Sequence, residues 1–169
     1  QLVEQLLARI LAQPGPLTRV LLGRCIAKVY SVGETYSLFE TINFCNDTLK
    51  GRDDSLSHLP IKLAALACLG SMYESLGRLV GRSYEETFHH LSKWIRNAES
   101  QGRAEIMNVL SKMVSGLGSG ASSIYKELYK ILKAHMTDRV MSVRVATINC
   151  LATLVPEYTF LYTSELESI

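Results

Sequence analysis

The sequence repeats itself at an interval of 41 residues. Lys62, Arg103 and Arg144 are separated by this interval, and the apolar residues around them recur with the same spacing. The matching positions are Leu63, Ala104 and Val145; Leu66, Met107 and Ile148; Leu69, Leu110 and Leu151; and Tyr73, Val114 and Val155. A fixed period near 40 residues with two helical hydrophobic patterns per period is typical of stacked helical hairpins. The repeat therefore predicts an all-α chain.

Each period contains two segments with the apolar spacing of an amphipathic helix, so we expect about four antiparallel helix pairs. The pairs are predicted at residues 1–31, 34–80, 83–117 and 122–156, and residues 157–169 are predicted to begin the next element. Later helices are predicted at about 60–79, 83–99, 102–114, 122–136 and 139–155. The residues predicted to face inward on the second helix are Val20, Leu21, Cys25, Ile26 and Val29. Those on the third helix are Leu38, Ile42, Cys45 and Leu49.

Serines stand where two of these helices are predicted to begin. Ser83 is followed three residues later by Glu86, which is the spacing of a capping box. Ser122 or Ser123 is expected to cap the seventh helix with its hydroxyl group. At the other end of the chain, Pro156 is expected to stop the eighth helix, because an interior proline clashes with the preceding turn.

The composition is that of a globular chain, with 47% hydrophobic residues and a net charge of +2. So small a net charge argues against a dedicated nucleic-acid-binding domain. Apolar runs fall short of the ~18–20 residues that a bilayer span needs. The widely spaced Cys25, Cys45, Cys68 and Cys150 predict buried free thiols rather than a disulfide framework. Neither end of the sequence has a polar capping repeat, so we expect a segment of a longer array.

Candidate chemical sites in the sequence have simpler structural explanations. The glycine-rich stretch 116–123 lacks the preceding strand and the following lysine of a phosphate loop, so we expect a loop between helices. His89 and His90 are adjacent, so they point about 100° apart on a helix instead of sharing a metal ion. We therefore predict that the chain has no catalytic, cofactor-binding or metal-binding residues and is not an enzyme.

One helix face is basic. Lys126, Lys130 and Lys133 follow one another at i, i+4 and i+7 on the seventh predicted helix. They are the candidate partner-binding residues, for an acidic protein, anionic lipid headgroups or RNA. A solvated helix face with no partner is the alternative interpretation.

A second set of charged residues is predicted to hold the repeats in register. Asp138 falls in the turn between the two helices of the last pair, and Arg144 follows six residues later. Stacked repeats would align such residues as a structural ladder of Lys62, Arg103, Asp138 and Arg144. The ladder is incomplete in the sequence, because Asn97 and Leu56 stand at the positions equivalent to Asp138.

Residues 138–154, DRVMSVRVATINCLATL, resemble the second helix of a HEAT repeat. Three further stretches, at residues 19–30, 61–70 and 81–87, are similar to the N-terminal part of the HEAT repeat-containing protein 5 family. The resemblance extends over nearly the whole chain. It implies an α-solenoid of HEAT-type antiparallel pairs, stacked as a right-handed superhelix.

The same resemblance implies a function. Members of this family resemble accessory subunits of the clathrin-adaptor machinery, which work with aftiphilin and gamma-synergin between the trans-Golgi network and endosomes. A cytoplasmic protein-interaction scaffold, held at vesicle membranes through its partners, is the expectation that follows. The alternatives are a HEAT-type transport receptor, a phosphatase scaffold, or a module that binds lipid or RNA through the basic face.

Overall fold

The computed structural model describes residues 2–33, 35–51, 55, 57–159 and 161. Within them the chain forms eight α-helices and no β-strand, which confirms the all-α prediction. The helices are α1 (Leu2–Leu11), α2 (Pro16–Ser31), α3 (Leu38–Lys50), α4 (Leu59–Leu76), α5 (Ser83–Trp94), α6 (Ser100–Leu117), α7 (Ser122–His135) and α8 (Met141–Leu154). Short 3-10 segments follow α4, α6 and α8, at Gly77–Val80, Gly118–Ala121 and Val155–Glu157. The element predicted from residue 157 onward lies largely outside the described residues.

The even-numbered helices pack side by side in one layer. In this layer α2 contacts α4, α4 contacts α6, and α6 contacts α8. The helices α3, α5 and α7 pack in the same succession, and each of them also contacts the even-numbered helix that follows it. The buried apolar residues lie between these helices as one continuous cluster. The predicted repeats 1–31, 34–80, 83–117 and 122–156 each contain two of the helices.

Glycines allow neighbouring even-numbered helices to approach closely. A Cβ atom on Gly116 of α6 would lie 2.0 Å from the carbonyl oxygen of Tyr73 in α4. A Cβ atom on Gly23 of α2 would lie 2.6 Å from the carbonyl oxygen of Ala67 in α4. Both distances are far inside van der Waals contact. Glycine is therefore required at both positions for this backbone spacing.

The predicted inward face of α3 is confirmed, whereas that of α2 is partly wrong. Leu38, Ile42, Cys45 and Leu49 of α3 are all buried, and so is Ile26 of α2. In α2, however, Val20 and Leu21 are 43% and 59% exposed, and Cys25 is exposed as well. Apolar residues surround much of this helix, so periodicity alone does not select a face. The contact of Gly23 with α4 selects it instead and turns Leu22, Ile26 and Tyr30 inward.

The predicted serine caps are wrong. The Ser83 hydroxyl donates to the carbonyl oxygen of Val80 at 2.5 Å, and the residue that caps α5 is Arg82. The residue that caps α7 is Ala121, without a side-chain hydrogen bond. Ser122 already has helical dihedral angles, φ −56° and ψ −25°. A residue that caps a helix needs non-helical dihedral angles. Ser83 and Ser122 are instead the first residues inside α5 and α7, so they do not cap these helices.

Helices α4, α5 and α6 end or begin at other residues than predicted. The α-helical part of α4 ends at Leu76 because Gly77 has a φ of 52°. Helix α5 ends at Trp94, since residues 95–97 form a turn and Glu99 is extended with ψ 164°. Helix α6 runs from Ser100 to Leu117 and is longer than the predicted 102–114. Asn97 therefore lies in the turn between α5 and α6 and not within α5 as predicted.

Candidate functional site

Two of the three charged residues that repeat in the sequence, Arg103 and Arg144, meet Asp138 at the turn between α7 and α8. Arg103 of α6 donates from Nε to Oδ2 of Asp138 at 2.9 Å and from Nη2 to Oδ1 at 3.1 Å. Its Nη1 donates to the carbonyl oxygen of Ala98 at 2.8 Å. The side chains of Arg103 and Asp138 are only 14% and 9% exposed. A two-pronged, partly buried ion pair of this kind fixes both distance and orientation between two helix pairs.

Asp138 has further partners within its own turn. Its Oδ1 accepts a hydrogen bond from the Val140 amide at 2.9 Å, and its carbonyl oxygen accepts one from Nη1 of Arg144 at 2.6 Å. The hydrogen bonds from Arg103 hold the pKa of the Asp138 carboxyl below its usual value, and the Val140 amide acts in the same direction. Arg103, Asp138 and Arg144 thus form one connected polar cluster.

At Lys62 the ladder has a different chemistry. The Lys62 side chain is buried, with 3% of the residue exposed, and its Nζ lies 5.3 Å from the centroid of the Trp94 ring. An ammonium group at this distance is attracted by the electron-rich face of the ring. Asn97 occupies the position equivalent to Asp138, so that position carries an amide and not a carboxylate. Leu56, the other equivalent position, lies outside the described residues.

Lys62 also lines an open pocket of about 370 Å³ formed by the end of α3, the beginning of α4 and the end of α5. We call it the basic pocket, and its polar and aromatic lining residues are Lys50, Lys62, His90, Lys93, Trp94 and Asn97. Sequence reasoning did not find it. The one available signal was the difference between Asp138 and Asn97 at equivalent positions, which gives the earlier repeat an amide in place of a carboxylate there.

The candidate partner-binding lysines of α7 lie on the surface. Lys126, Lys130 and Lys133 are all exposed. The Nζ of Lys130 lies 3.8 Å from Oε2 of Glu127, and that of Lys133 lies 5.8 Å from the centroid of the Tyr129 ring. This basic face is therefore accessible, and Glu127 offsets part of its charge.

Helix α8 carries an exposed apolar row. Met141, Val145 and Ile148 are 65%, 49% and 54% exposed and follow one another at i, i+4 and i+7. We call these three residues the α8 row. At the position of Ile148 in the two preceding repeats, Leu66 and Met107 are 1% and 0% exposed. Ile148 of the α8 row thus occupies a position whose equivalents in α4 and α6 are buried.

The described residues do not bring His, Cys, Asp and Glu side chains together in any group of three that would suit a metal ion. The rings of His89 and His90 are 5.9 Å apart at their centroids. In the glycine-rich stretch, Gly118 uses its carbonyl oxygen to accept a hydrogen bond from the Tyr125 hydroxyl. Among the helices that the structure describes, none has the length and hydropathy to cross a membrane.

Comparison with known proteins finds distant similarity to a much longer plant protein. No family model matches the chain, and no solved structure matches it. Over 129 residues, or 75% of its length, the chain is 27% identical to Protein SWEETIE of Arabidopsis thaliana. The match covers 6% of that protein, so the chain spans a small fraction of the relative's length. At this coverage, nothing about the activity or partners of the whole relative transfers to the chain.

Proposed function

We propose that this chain is a HEAT-type α-solenoid segment of about four right-handed stacked pairs, which acts as a non-enzymatic scaffold for protein–protein interactions. The observation that carries the proposal is the succession of α2, α4, α6 and α8 in one layer, each packed on the next. A stack of this kind presents an extended, rigid surface with a large area for its mass.

Equivalent positions at successive interfaces support the repeat interpretation. A Cβ atom on Gly70 of α4 would lie 3.3 Å from the Val109 side chain of α6. Ser111, which is 41 residues after Gly70, lies at the next interface, where its hydroxyl is 2.9 Å from that of Thr153 in α8. Gly70 and Ser111, which are equivalent in the repeat, therefore each face the next even-numbered helix.

The α8 row supports the same interpretation. The position of Ile148 is buried in the two preceding repeats and exposed in α8, although it remains apolar. Contiguous exposed apolar patches mark interaction surfaces, whereas scattered single apolar residues do not. In a solenoid, this row is the stacking face for another helix of the same kind.

The resemblance to the HEAT repeat-containing protein 5 family extends the proposal to a cellular role. We infer that the scaffold works in clathrin-adaptor-dependent traffic between the trans-Golgi network and endosomes. Its partners there would be accessory proteins such as aftiphilin and gamma-synergin, and it would be cytoplasmic and held at vesicles through them. The quoted stretches 19–30, 61–70 and 81–87 support this part of the proposal.

Affinity capture from cells tests the proposed role. The folded 169-residue chain is used as bait, and bound proteins are identified by mass spectrometry after crosslinking. Recovery of adaptor accessory subunits, with crosslinks to the described helices, supports the proposal. Recovery of nuclear-import cargo or a phosphatase catalytic subunit in their place contradicts it and favours a transport receptor or a phosphatase scaffold.

Exposure of Lys126, Lys130 and Lys133 favours a second candidate, which is direct binding to anionic lipid or RNA. Such binding weakens steeply with salt, because it releases counterions. Replacing all three lysines by glutamate should abolish sedimentation with phosphatidylserine vesicles and retention of single-stranded RNA. Unchanged binding in the triple variant would eliminate this candidate.

A further inference from the structure

The layer of even-numbered helices that the structure describes has an exposed apolar face at each end. At the α8 end this face is the α8 row, extended by the exposed Ala152 one turn after Ile148. Ala152 is equivalent to Gly70 and Ser111, which each face the next even-numbered helix. The α8 row therefore lies on the side of the helix that α4 and α6 use to contact their successors.

At the α2 end the exposed face is turned away from α4. Gly23 faces α4, since a Cβ atom there would lie 2.6 Å from the carbonyl oxygen of Ala67. Leu17 and Leu21 point about 120° and 160° away from Gly23 around the helix. Leu17, Leu21 and the adjacent Val20 are 82%, 59% and 43% exposed. We call these three residues the α2 row.

Leu21 of the α2 row stands at a position that is buried in every later helix of the layer. Gly23 and Gly70 both face the next helix, so α2 aligns with α4 at their separation of 47 residues. With this alignment, the positions equivalent to Leu21 are Cys68, Val109 and Cys150. All three are buried, and the Val109 side chain lies against Gly70 of the preceding helix. The α2 row is thus the face on which a preceding helix would pack.

We propose that the α8 row of one copy of this chain docks on the α2 row of a second copy, so that copies associate end to end. The inference rests on the stacked scaffold proposed above and identifies a partner for its two open faces. The new contact continues a series that the chain already contains, because α4 packs on α2, α6 on α4 and α8 on α6. Two different faces meet in it, so a bound pair keeps one open face of each kind.

The two faces match at the centre of the contact. Between α4 and α6, the small Gly70 lies against the aliphatic part of Lys112, because a Cβ atom on Gly70 would be 3.2 Å from Cδ of the lysine. The equivalent residues at the open faces are the exposed Ala152 on α8 and the exposed Arg24 on α2. A small residue again meets a long cationic side chain, whose methylene groups pack on apolar surface while the charged head stays in water.

The contact is small, so association should be weak. Each face offers one helix, whereas a standard interface involves about 20–30 residues a side. We expect a Kd of about 100 μM, with the monomer predominant at ~10 μM and assemblies of several copies at ~1 mM. Sedimentation equilibrium over this range measures it. A wild-type chain that stays monomeric at ~1 mM would overturn the proposal and leave the two rows to a different occupant.

Two charge variants separate end-to-end docking from other modes of association. Val145→Glu disables the α8 row and Leu21→Glu the α2 row, and these residues are 49% and 59% exposed, so both variants should fold. Each variant alone should be monomeric, because a buried unpaired charge is costly, whereas an equimolar mixture should form dimers and nothing longer. Leu79→Glu changes an exposed apolar residue outside both rows and should associate like the wild type.

Association of Val145→Glu or of Leu21→Glu by itself would overturn the proposal, since it would mean that one face binds the same face of another copy. A mixture that remains monomeric under conditions where Leu79→Glu associates would overturn it as well.

Cysteine crosslinking tests the register of the contact. The hydroxyl oxygens of Ser111 and Thr153 lie 2.9 Å apart between α6 and α8, and the equivalent residues at the open faces are Ala152 and Arg24. Ala152→Cys and Arg24→Cys, carried on separate chains in a Cys25→Ser background, should therefore form a mixed disulfide on mild oxidation. Exposed side chains at both positions can be replaced without disturbing the core.

The control chain carries Lys130→Cys on the exposed face of α7. Ala152→Cys should crosslink to Arg24→Cys about tenfold faster than to Lys130→Cys, because docking raises the local concentration of the first pair alone. Equal rates would overturn the proposal. A crosslink within one chain between Ser111→Cys and Thr153→Cys, without the crosslink between chains, removes end-to-end docking alone. Loss of both crosslinks removes the stacked scaffold too.

Discussion

The hydroxyl of Tyr73 in α4 lies 2.5 Å from Oγ1 of Thr87 in α5, and Thr87 donates to Oδ1 of Asn46 in α3 at 2.8 Å. All three side chains are buried. A single run of hydrogen bonds therefore joins helices of two neighbouring pairs. One period later, Val114 and Leu128 stand at the positions of Tyr73 and Thr87, so buried apolar side chains replace the two hydroxyl groups.

Thr87→Val should destabilise the chain by about 1–3 kcal/mol. Valine keeps the shape of the threonine but leaves the Tyr73 hydroxyl and the Asn46 amide without their shared partner. Urea unfolding followed by circular dichroism measures the change. Thr137→Val, at an exposed turn position, is the control and should change stability by less than about 0.5 kcal/mol. Similar losses for both variants would mean that the buried network contributes little.

Gly116→Ala should be among the most damaging single substitutions. The added Cβ would lie 2.0 Å from the Tyr73 carbonyl oxygen, so α4 and α6 would have to separate. We expect a loss of about 3 kcal/mol or failure to fold. The control is Gly120→Ala, where nothing lies within 4 Å of the added atom. Thermal unfolding distinguishes the two variants, and a Gly116→Ala protein as stable as Gly120→Ala would contradict the close approach.

The Arg103–Asp138 pair should show a large coupling energy. A double-mutant cycle with Arg103→Met and Asp138→Asn should give about 1.5–3 kcal/mol at neutral pH. Arg103 lowers the pKa of Asp138 from its ordinary value of 3.8. The stabilisation is therefore fully present above that value and is lost as the pH falls through the lower pKa of the folded state. Urea unfolding between neutral pH and pH ~3 checks both the size and the direction. A coupling energy that rises on acidification would contradict the assignment.

The cysteines should differ sharply in reactivity. Cys25 is exposed, whereas Cys45, Cys68 and Cys150 are buried, so the expectation of four buried thiols is wrong at Cys25. Burial raises the pKa of Cys150 to about 12, and a hydrogen bond with Cys68 raises the pKa of Cys45. A thiol-specific reagent at mildly alkaline pH should therefore label one cysteine quickly in the folded chain. The Cys25→Ser variant should then show no fast labelling, and fast labelling of Cys150 would contradict the packing of α8.

Much of the helical organisation could be predicted from the sequence. The period of 41 residues places Arg103 and Arg144 at equivalent points of α6 and α8, and the apolar spacing of α3 predicts Ile42 and Cys45 as buried. These inferences succeed because helical periodicity and burial are local properties of a segment. The face of α2 could not be predicted in the same way, since Leu21 and Leu22 are equally apolar and only contact with α4 separates them.

The candidate site was less accessible to sequence reasoning. Trp94 packs partly buried against the core and also lines a pocket beside Lys62, a residue of another helix pair. Contacts between pairs depend on where turns end, and the turn after α5 begins earlier than predicted. Ser83 was predicted to cap α5. Its hydroxyl instead donates to the carbonyl oxygen of Val80, the last residue of the 3-10 segment before that helix.

The most direct test of the stacked arrangement is a disulfide between α6 and α8. The hydroxyl oxygens of Ser111 and Thr153 lie 2.9 Å apart, so cysteines at both positions should oxidise to a crosslink. In a Cys25→Ser background, peptide mapping after mild oxidation measures the fraction crosslinked. Stacking in a common register predicts nearly complete crosslinking of Ser111→Cys with Thr153→Cys and little with the neighbouring Ala152→Cys. A preference for residue 152, or no crosslink at either position, would contradict it.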